Sequence, residues 1–217
     1  MAKSFLVIGL GRFGSAIAAT LSKLGHEVMA VDCNMDYVNA ISEHVLHAAQ
    51  CDTTDERAIA ALGVSEFDAV VISIGTDIRA SVLTTVLCLE HGAKLVVAKA
   101  QDELHEKLLK KVGAHRVLSP EHDAGVRLAR SLVMDNVLDY LSLSEDVSIT
   151  EMIVPLKWVG QTLMELNVRR IYGVSVIAVR RGEKLLSNLD ANFRLKPDDL
   201  LVFLGENKAL DAVAKVR

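Results

Sequence analysis

Short apolar runs alternate with segments of helical period along the first half of the chain. Ser4-Phe5-Leu6-Val7-Ile8-Gly9 is an apolar run closed by glycine, and Phe13, Ile17, Leu21 and Leu24 then fall on one helical face. This predicts a strand, a tight turn and a helix over 13–24. The alternation continues with strands predicted at Glu27–Asp32, His44–Ala49, Ala69–Ile74, Lys94–Ala98 and Arg116–Leu118. Helices are predicted between them at Met35–Glu43, Thr54–Leu62, Asp77–His91 and Glu103–Val112. Six strands alternating with five helices predict an α/β fold, a Rossmann-like doubly wound parallel sheet.

Ser119-Pro120-Glu121 carries a helix start signal, because proline suits the first helical turn and an acid there suits the dipole. A long helix is predicted from Glu121 to about Asn136, with Val126, Leu128, Ala129, Leu132 and Val133 apolar enough to bury a broad face. Helical pattern resumes through Val137–Leu141. After Ser144 the texture changes to alternating patterns at Ile149–Val154, Ser175–Val179 and Leu200–Phe203, with Gly160–Leu166 between them. Arg181-Gly182-Glu183 is a hairpin signal and Glu206–Val216 a terminal helical piece. The expected organisation is a nucleotide-binding domain over 1–120, connecting helices over 121–143 and a smaller α+β domain over 144–217.

Composition narrows the class further. The chain has 217 residues, 51% of them hydrophobic and 4% aromatic, and this aliphatic content suits a parallel sheet covered on both faces. No apolar stretch approaches the roughly 18 residues a spanning helix needs, so a cytoplasmic protein that reaches a membrane through a partner is expected. A formal charge of −4 lacks the basic excess of a phosphate-backbone binder, so nucleic acid is not expected as a partner. Cys33, Cys51 and Cys88 form no CxxC pair and read as reduced thiols, mostly packing residues. The seven histidines form no HExxH or comparable metal pair.

The candidate chemistry gathers where strands end. Gly9-Leu10-Gly11-Arg12-Phe13-Gly14 is G-x-G-x-x-G directly after a strand and opening a helix. Gly9 would allow the turn, Gly11 a close approach of phosphate to backbone, and Gly14 the packing of helix on sheet, with the helix start attracting the anion. Asp32 follows 18 residues after Gly14 at the end of the second strand, where a carboxylate can accept hydrogen bonds from ribose hydroxyls. Cys33 and Asn34 stand beside it. Cys51, Asp52 and Thr53, then Ser73, Ile74 and Gly75, then Lys99, occupy other strand ends around the same crevice. Asp52 reads equally as a helix cap. Arg12 and Phe13 would project near the phosphates, His105 follows the Lys99 strand closely, and Glu121 could touch a nucleotide or a cation held by its phosphates. No tyrosine has a lysine four residues on, GxSxG is absent, and the second domain offers no acid/base pair for hydride chemistry. A cofactor site without a substrate site points to sensing.

Taken in order, these residues resemble the RCK proteins, cytosolic gating subunits of the TrkA/KtrA type that regulate potassium channels and transporters. The resemblance rests on Gly9–Gly14, Val31-Asp32, Ile74-Gly75, Val97-Ala-Lys-Ala-Gln101 and Ser119-Pro-Glu-His-Asp123. In the smaller domain it rests on Asn167-Val-Arg-Arg-Ile-Tyr-Gly173 and Lys196-Pro-Asp-Asp-Leu-Leu201. It implies a Rossmann-type domain that dimerises and assembles into a tetramer or octameric ring under a membrane potassium-translocating subunit of the TrkH/KtrB type. It implies ATP, ADP or NAD(H) in the crevice, Arg12 reaching phosphates, and a divalent or monovalent cation near Glu121, the one metal-binding candidate. In some members the C-terminal domain binds cyclic di-AMP, for which Asn167, Val168, Arg169 and Arg170 lie in the comparable stretch. The resemblance thus implies a non-catalytic regulatory subunit, and the long helix near Glu121 to Leu141 could carry movement to the neighbouring subunit or to the smaller domain. An NAD-dependent oxidoreductase is the rival reading, since the same glycine turn and Asp32 serve it too, and an interaction module with a vestigial crevice is the third.

Overall fold

The computed structural model describes residues 1–133, 137–144 and 146–216, in two compact units, Met1–His122 and Asp123–Arg217. In the first, β1 (Ser4–Ile8), β2 (Glu27–Asp32), β3 (His47–Gln50), β4 (Ala69–Ile72), β5 (Val96–Lys99) and β6 (Arg116–Leu118) form one parallel sheet ordered β3-β2-β1-β4-β5-β6. The connections are α1 (Arg12–Lys23), α2 (Met35–Ile41), α3 (Glu56–Leu62), α4 (Ile78–Glu90) and α5 (Glu103–Lys111). This is the Rossmann-like sheet that the hydrophobic pattern predicts.

Alternate residues of each strand feed opposite faces of the sheet. Leu6, Ile8, Val70, Ile72, Val96 and Ala98 pack against Ile59, Leu87, Cys88 and Leu109. Val7, Val28 and Ala30 pack on the other face against Leu10, Ala18, Val38 and Ile41. Burial on both faces explains why the strands read as continuous apolar runs. Asn34, Asp55, Asp77 and Asp102 each accept a hydrogen bond from a first-turn N–H of the helix they precede, so four of the five crossover helices start at a side-chain cap.

The segment after Ser119 departs from expectation in two places. Helix α6 spans Pro120–Val133, and the face predicted to be buried is open in the single chain, with Val126 39%, Leu128 60% and Leu132 74% exposed. The predicted continuation to Asn136 falls on 134–136, outside the described residues. The helix predicted to resume at Val137–Leu141 is instead strand β7 (Val137–Ser142). Its pairing with the next strand shifts register between Val137 and Asp139, so the buried positions are Val137 and Tyr140. A bulge thereby turns the period of two into a spacing of three, which imitates a helix in sequence.

Strands β7, β8 (Val147–Ile153), β9 (Ser175–Arg181), β10 (Lys184–Leu186) and β11 (Leu200–Glu206) form an antiparallel sheet ordered β10-β9-β11-β8-β7. Short helices α7 (Leu163–Leu166) and α8 (Val168–Tyr172) and the terminal α9 (Asn207–Ala214) complete this smaller α+β unit. Its core joins Trp158, Leu166, Val168 and Val174 to Leu201, Phe203, Leu210 and Val213. The hairpin turns at Gly182 with φ +60, as the Arg181-Gly182-Glu183 signal predicts.

One buried charge anchors this unit. Asp199 is fully buried, and the Arg181 guanidinium donates to it twice, at 2.7 and 2.8 Å, while the Lys196 N–H donates at 2.8 Å. Burial works to raise the Asp199 pKa, but these donors outweigh it and hold the carboxyl below its usual value. Removing the cation would strand the acid, so Arg181→Met is expected to cost about 3 kcal/mol in urea unfolding. Because the folded-state pKa is the lower one, the stabilisation is complete above the ordinary carboxylate value of about 4 and is lost as pH falls through the folded value. Comparing urea midpoints at pH 7 and in acid should show that loss in the native chain and a smaller one in Asp199→Asn.

Candidate functional site

The strand order reverses direction between β1 and β4, so the loops leaving these neighbours diverge and open a crevice at the carboxyl end of the sheet. Its floor is the glycine turn. Gly9 has φ +88, and a Cβ there would stand 3.0 Å from the Ser73 carbonyl carbon. A Cβ on Gly14 would stand 1.9 Å from the Gly9 carbonyl oxygen, so only glycine lets α1 start this close to β1. Gly11 is different, because a Cβ there would meet nothing within 4 Å. It is the N-cap of α1 and no side chain caps the helix, so the positive helix end faces the open crevice.

Asp32 fixes the turn from the side. Its Oδ2 accepts the Leu10 N–H at 2.6 Å and its Oδ1 accepts the Asn34 N–H at 2.8 Å. The Leu10 amide, which motif reading passes over, is thus a working part of the site. Its position between the first two glycines was the available signal. Gln50 was missed as well; its Nε2 donates to the Cys33 carbonyl oxygen at 2.9 Å and closes the rim between β2 and β3. Asn34 caps α2 through its contact with the Asp36 N–H.

On the other side, Lys99 reaches back over the crevice. Its Nζ lies 5.7 Å from the Phe13 ring centroid, within reach of a cation–π contact, and 3.4 Å from where a Gly75 Cβ would stand. The same ammonium pairs with Glu121 Oε1 at 2.5 Å, and this hydrogen bond holds the Glu121 carboxyl below its usual pKa. Phe13, Gly75, Lys99 and Glu121 therefore form one cluster. Arg12 is exposed in the first turn of α1.

The remaining candidates have local roles. Asp52 does not cap α3, which Asp55 does; it accepts from Thr54 N and Oγ1 at 3.0 and 2.7 Å, which lowers its pKa. Thr53 is buried, with its hydroxyl 2.9 Å from that of Thr84. Ser73 is buried and donates its N–H to the Ile8 carbonyl, and Ile74 packs on the core. His105 does not face the phosphate position: it is fully buried, with Nε2 3.2 Å from Ser81 Oγ and Nδ1 accepting the Gln101 N–H. Desolvation lowers its pKa.

Among the cysteines, Cys88 is buried and pushed up to about 12 by burial, and Cys51 is half-buried and raised by burial and Asp52. Cys33 is exposed beside Asp32, so the packing reading does not extend to it. Among the described residues, no group of three or more His, Cys, Asp or Glu could hold a metal ion. In the smaller unit, Asn167 joins α7 to α8 at φ +43. Val168 turns into the core, and Arg169 and Arg170 are exposed.

Comparison with known proteins supplies independent findings. Residues 5–120 match the family model described as the TrkA-N domain, and residues 149–216 match the TrkA-C domain. The chain is 42% identical over 205 residues to the Ktr system potassium uptake protein C of Bacillus subtilis (strain 168), covering 94% of this chain and 93% of that protein. It is 41% identical over 207 residues to the Ktr system potassium uptake protein A of the same organism, covering 95% and 93%. Among solved structures, the GsuK channel superposes with a TM-score of 0.71 at 19% identity, covering all of this chain and 39% of that one, a likeness of fold.

The two glycines of the turn should respond oppositely to the same added methyl. Gly14→Ala is expected to unfold or strongly destabilise the first unit, by about 3 kcal/mol, read as a lowered melting temperature. Gly11→Ala is expected to melt near the native temperature, because its methyl points into open crevice.

Proposed function

The chain belongs to the RCK-type family defined by the TrkA-N and TrkA-C domains, and from that premise we propose that it is a non-catalytic, nucleotide-sensing subunit that gates a membrane potassium-translocating partner. The near full-length likeness to two Ktr potassium uptake proteins supports the transport role. Among the described residues no helix is long and apolar enough to cross a membrane, so the translocation path itself is assigned to the partner.

One observation carries the nucleotide reading: the uncapped start of α1, whose first residue is the exposed Arg12, opens at a glycine with free space above it into a crevice that also holds Lys99. Backbone N–H groups with an ammonium and a guanidinium nearby suit a diphosphate or triphosphate. Asp32, with each oxygen already holding one backbone N–H, retains lone pairs for ribose hydroxyls. ATP, ADP and NAD(H) share these groups and are the proposed ligands.

An arriving phosphate would compete with Glu121 for the Lys99 ammonium. A ligand that binds two conformations unequally shifts their populations, and this ion pair at the first turn of α6 is where such a difference can arise. A cation at Glu121 would find a single carboxylate from this cluster, now engaged by Lys99, and would take most of its ligands from the phosphates. Exposed Arg169 and Arg170 make 167–170 a second anion-binding candidate, proposed here for cyclic di-AMP. Assembly as a homodimer within a ring on the cytoplasmic side of the membrane belongs to the same proposal.

Calorimetry of the purified chain with ATP, ADP, NAD, NADH and cyclic di-AMP is expected to show binding of at least one adenine nucleotide. Binding of none would overturn the reading, and substrate-dependent turnover of NADH would favour the oxidoreductase. Arg12→Ala removes one charge-assisted contact and should weaken nucleotide affinity by about tenfold or more without lowering the melting temperature. In a strain that depends on this system, Arg12→Ala should also change potassium uptake. If Arg12→Ala and Asp32→Ala both leave uptake unchanged, the crevice is vestigial.

A further inference from the structure

Helix α4 carries an unexpected polar face. Ser81, Thr84 and Thr85 stand at i, i+3 and i+4 and are fully buried in a helix whose remaining residues are apolar except for Arg79 and Glu90 near its ends. Burying hydroxyls is costly unless they are hydrogen-bonded, and each of these is. Thr85 satisfies itself within the helix by donating to the Ser81 carbonyl at 2.8 Å. The other two bond outside it. Thr84 Oγ1 donates to the Thr53 carbonyl at 3.1 Å and lies 2.9 Å from Thr53 Oγ1, which ties α4 to the loop after β3. Ser81 Oγ lies 3.2 Å from His105 Nε2, which ties α4 to the start of α5.

His105 is the centre of the second tie. Its Nδ1 accepts the Gln101 N–H at 3.2 Å, so the ring proton sits on Nε2 and is donated to Ser81. Its own N–H is capped by Asp102 at 2.8 Å. The residues immediately after Lys99 are thereby held twice: Ala100 donates its N–H to the Leu118 carbonyl, and Gln101 donates to His105. Since α4 itself follows Ile74 and Gly75 from β4, one helix is joined to three of the loops that surround the crevice.

We propose that His105 is a positioning residue for the nucleotide crevice, and that through Ser81 on one side and Gln101 on the other it sets where the Lys99 ammonium stands. The inference rests on the nucleotide reading of the crevice. Packing alone would accept an aliphatic side chain at 81, 84 and 105, but one at 105 would leave the Gln101 N–H without its acceptor. The hydrogen bonds add direction, fixing the Gln101 amide, and with it the exit of β5, relative to α4. Burial of the imidazole favours its neutral form, in which Nδ1 can accept.

The test uses the full chain with His105→Leu, which removes both bonds at similar volume, His105→Gln, which keeps one donor and one acceptor, and Ser81→Ala, which removes one partner. Amide hydrogen exchange at Gln101 is measured without ligand, and ADP affinity and melting temperature are measured on the same samples. His105→Leu is expected to speed Gln101 exchange and weaken ADP binding, each by about tenfold, while strands β1 and β4 keep their protection. His105→Gln should recover most of both effects, and Ser81→Ala should fall between.

Unchanged Gln101 exchange in His105→Leu would overturn the proposal. So would a rise spread evenly over β1 and β4 that tracks the melting temperature, or equal behaviour of the leucine and glutamine variants. If His105→Leu does not fold, His105→Gln and Ser81→Ala decide by the same exchange readout. Failure of the native chain to bind ADP would count against the nucleotide reading, while the exchange measurement still judges the positioning role. Arg12→Ala is the control, expected to weaken ADP binding and leave Gln101 exchange unchanged.

Discussion

The first unit depends on a contact that admits no side chain: the approach of Gly14 in α1 to the Gly9 carbonyl, where a Cβ would stand 1.9 Å from the oxygen. Because α1 can begin that close to β1, its uncapped end faces the gap between the diverging loops of β1 and β4. Asp32 then holds the turn by its Leu10 amide. The crevice is a consequence of backbone packing at two glycines, and the anion site proposed there rests on helix N–H groups left without a side-chain cap.

Charge is distributed to match. The ammonium of Lys99 stands at the opposite wall and is balanced by Glu121, which lies in the first turn of the helix leaving the unit. On the proposed nucleotide reading a ligand phosphate and the Glu121 carboxylate share this cation, which is the route by which occupancy would be felt at the start of α6. In the smaller unit the pairing of Arg181 with buried Asp199 has an opposite character. It is bidentate, with the carboxylate fully buried and holding three donors while the guanidinium stays partly open to solvent, and it holds a loop to a strand.

Much of the crevice was legible in the sequence because its determinants are local. Gly9, Gly11 and Gly14 act within six residues, and Asp32 lies at the end of the neighbouring strand, so motif and strand order together place them. His105 was misplaced because nearness in sequence to Lys99 says nothing about which way a helical side chain turns; burial against α4 sends it inward. Strand β7 was misread for a related reason. Its bulge depends on pairing with β8, and the spacing of buried residues that results cannot be told from a helical turn without that partner.

By itself the sequence determined the alternation of strand and helix, the class of the sheet, the presence of a smaller second unit and the glycine turn with its acid. These follow from periodicity and backbone freedom, which each segment carries within itself. The tertiary structure alone decided that Lys99 spends its charge on Glu121, that Asp32 holds the Leu10 amide, and that Val126, Leu128 and Leu132 of α6 stay open in the single chain. Such facts belong to pairs of residues distant along the chain, and only the packing of the elements brings the partners within reach of each other.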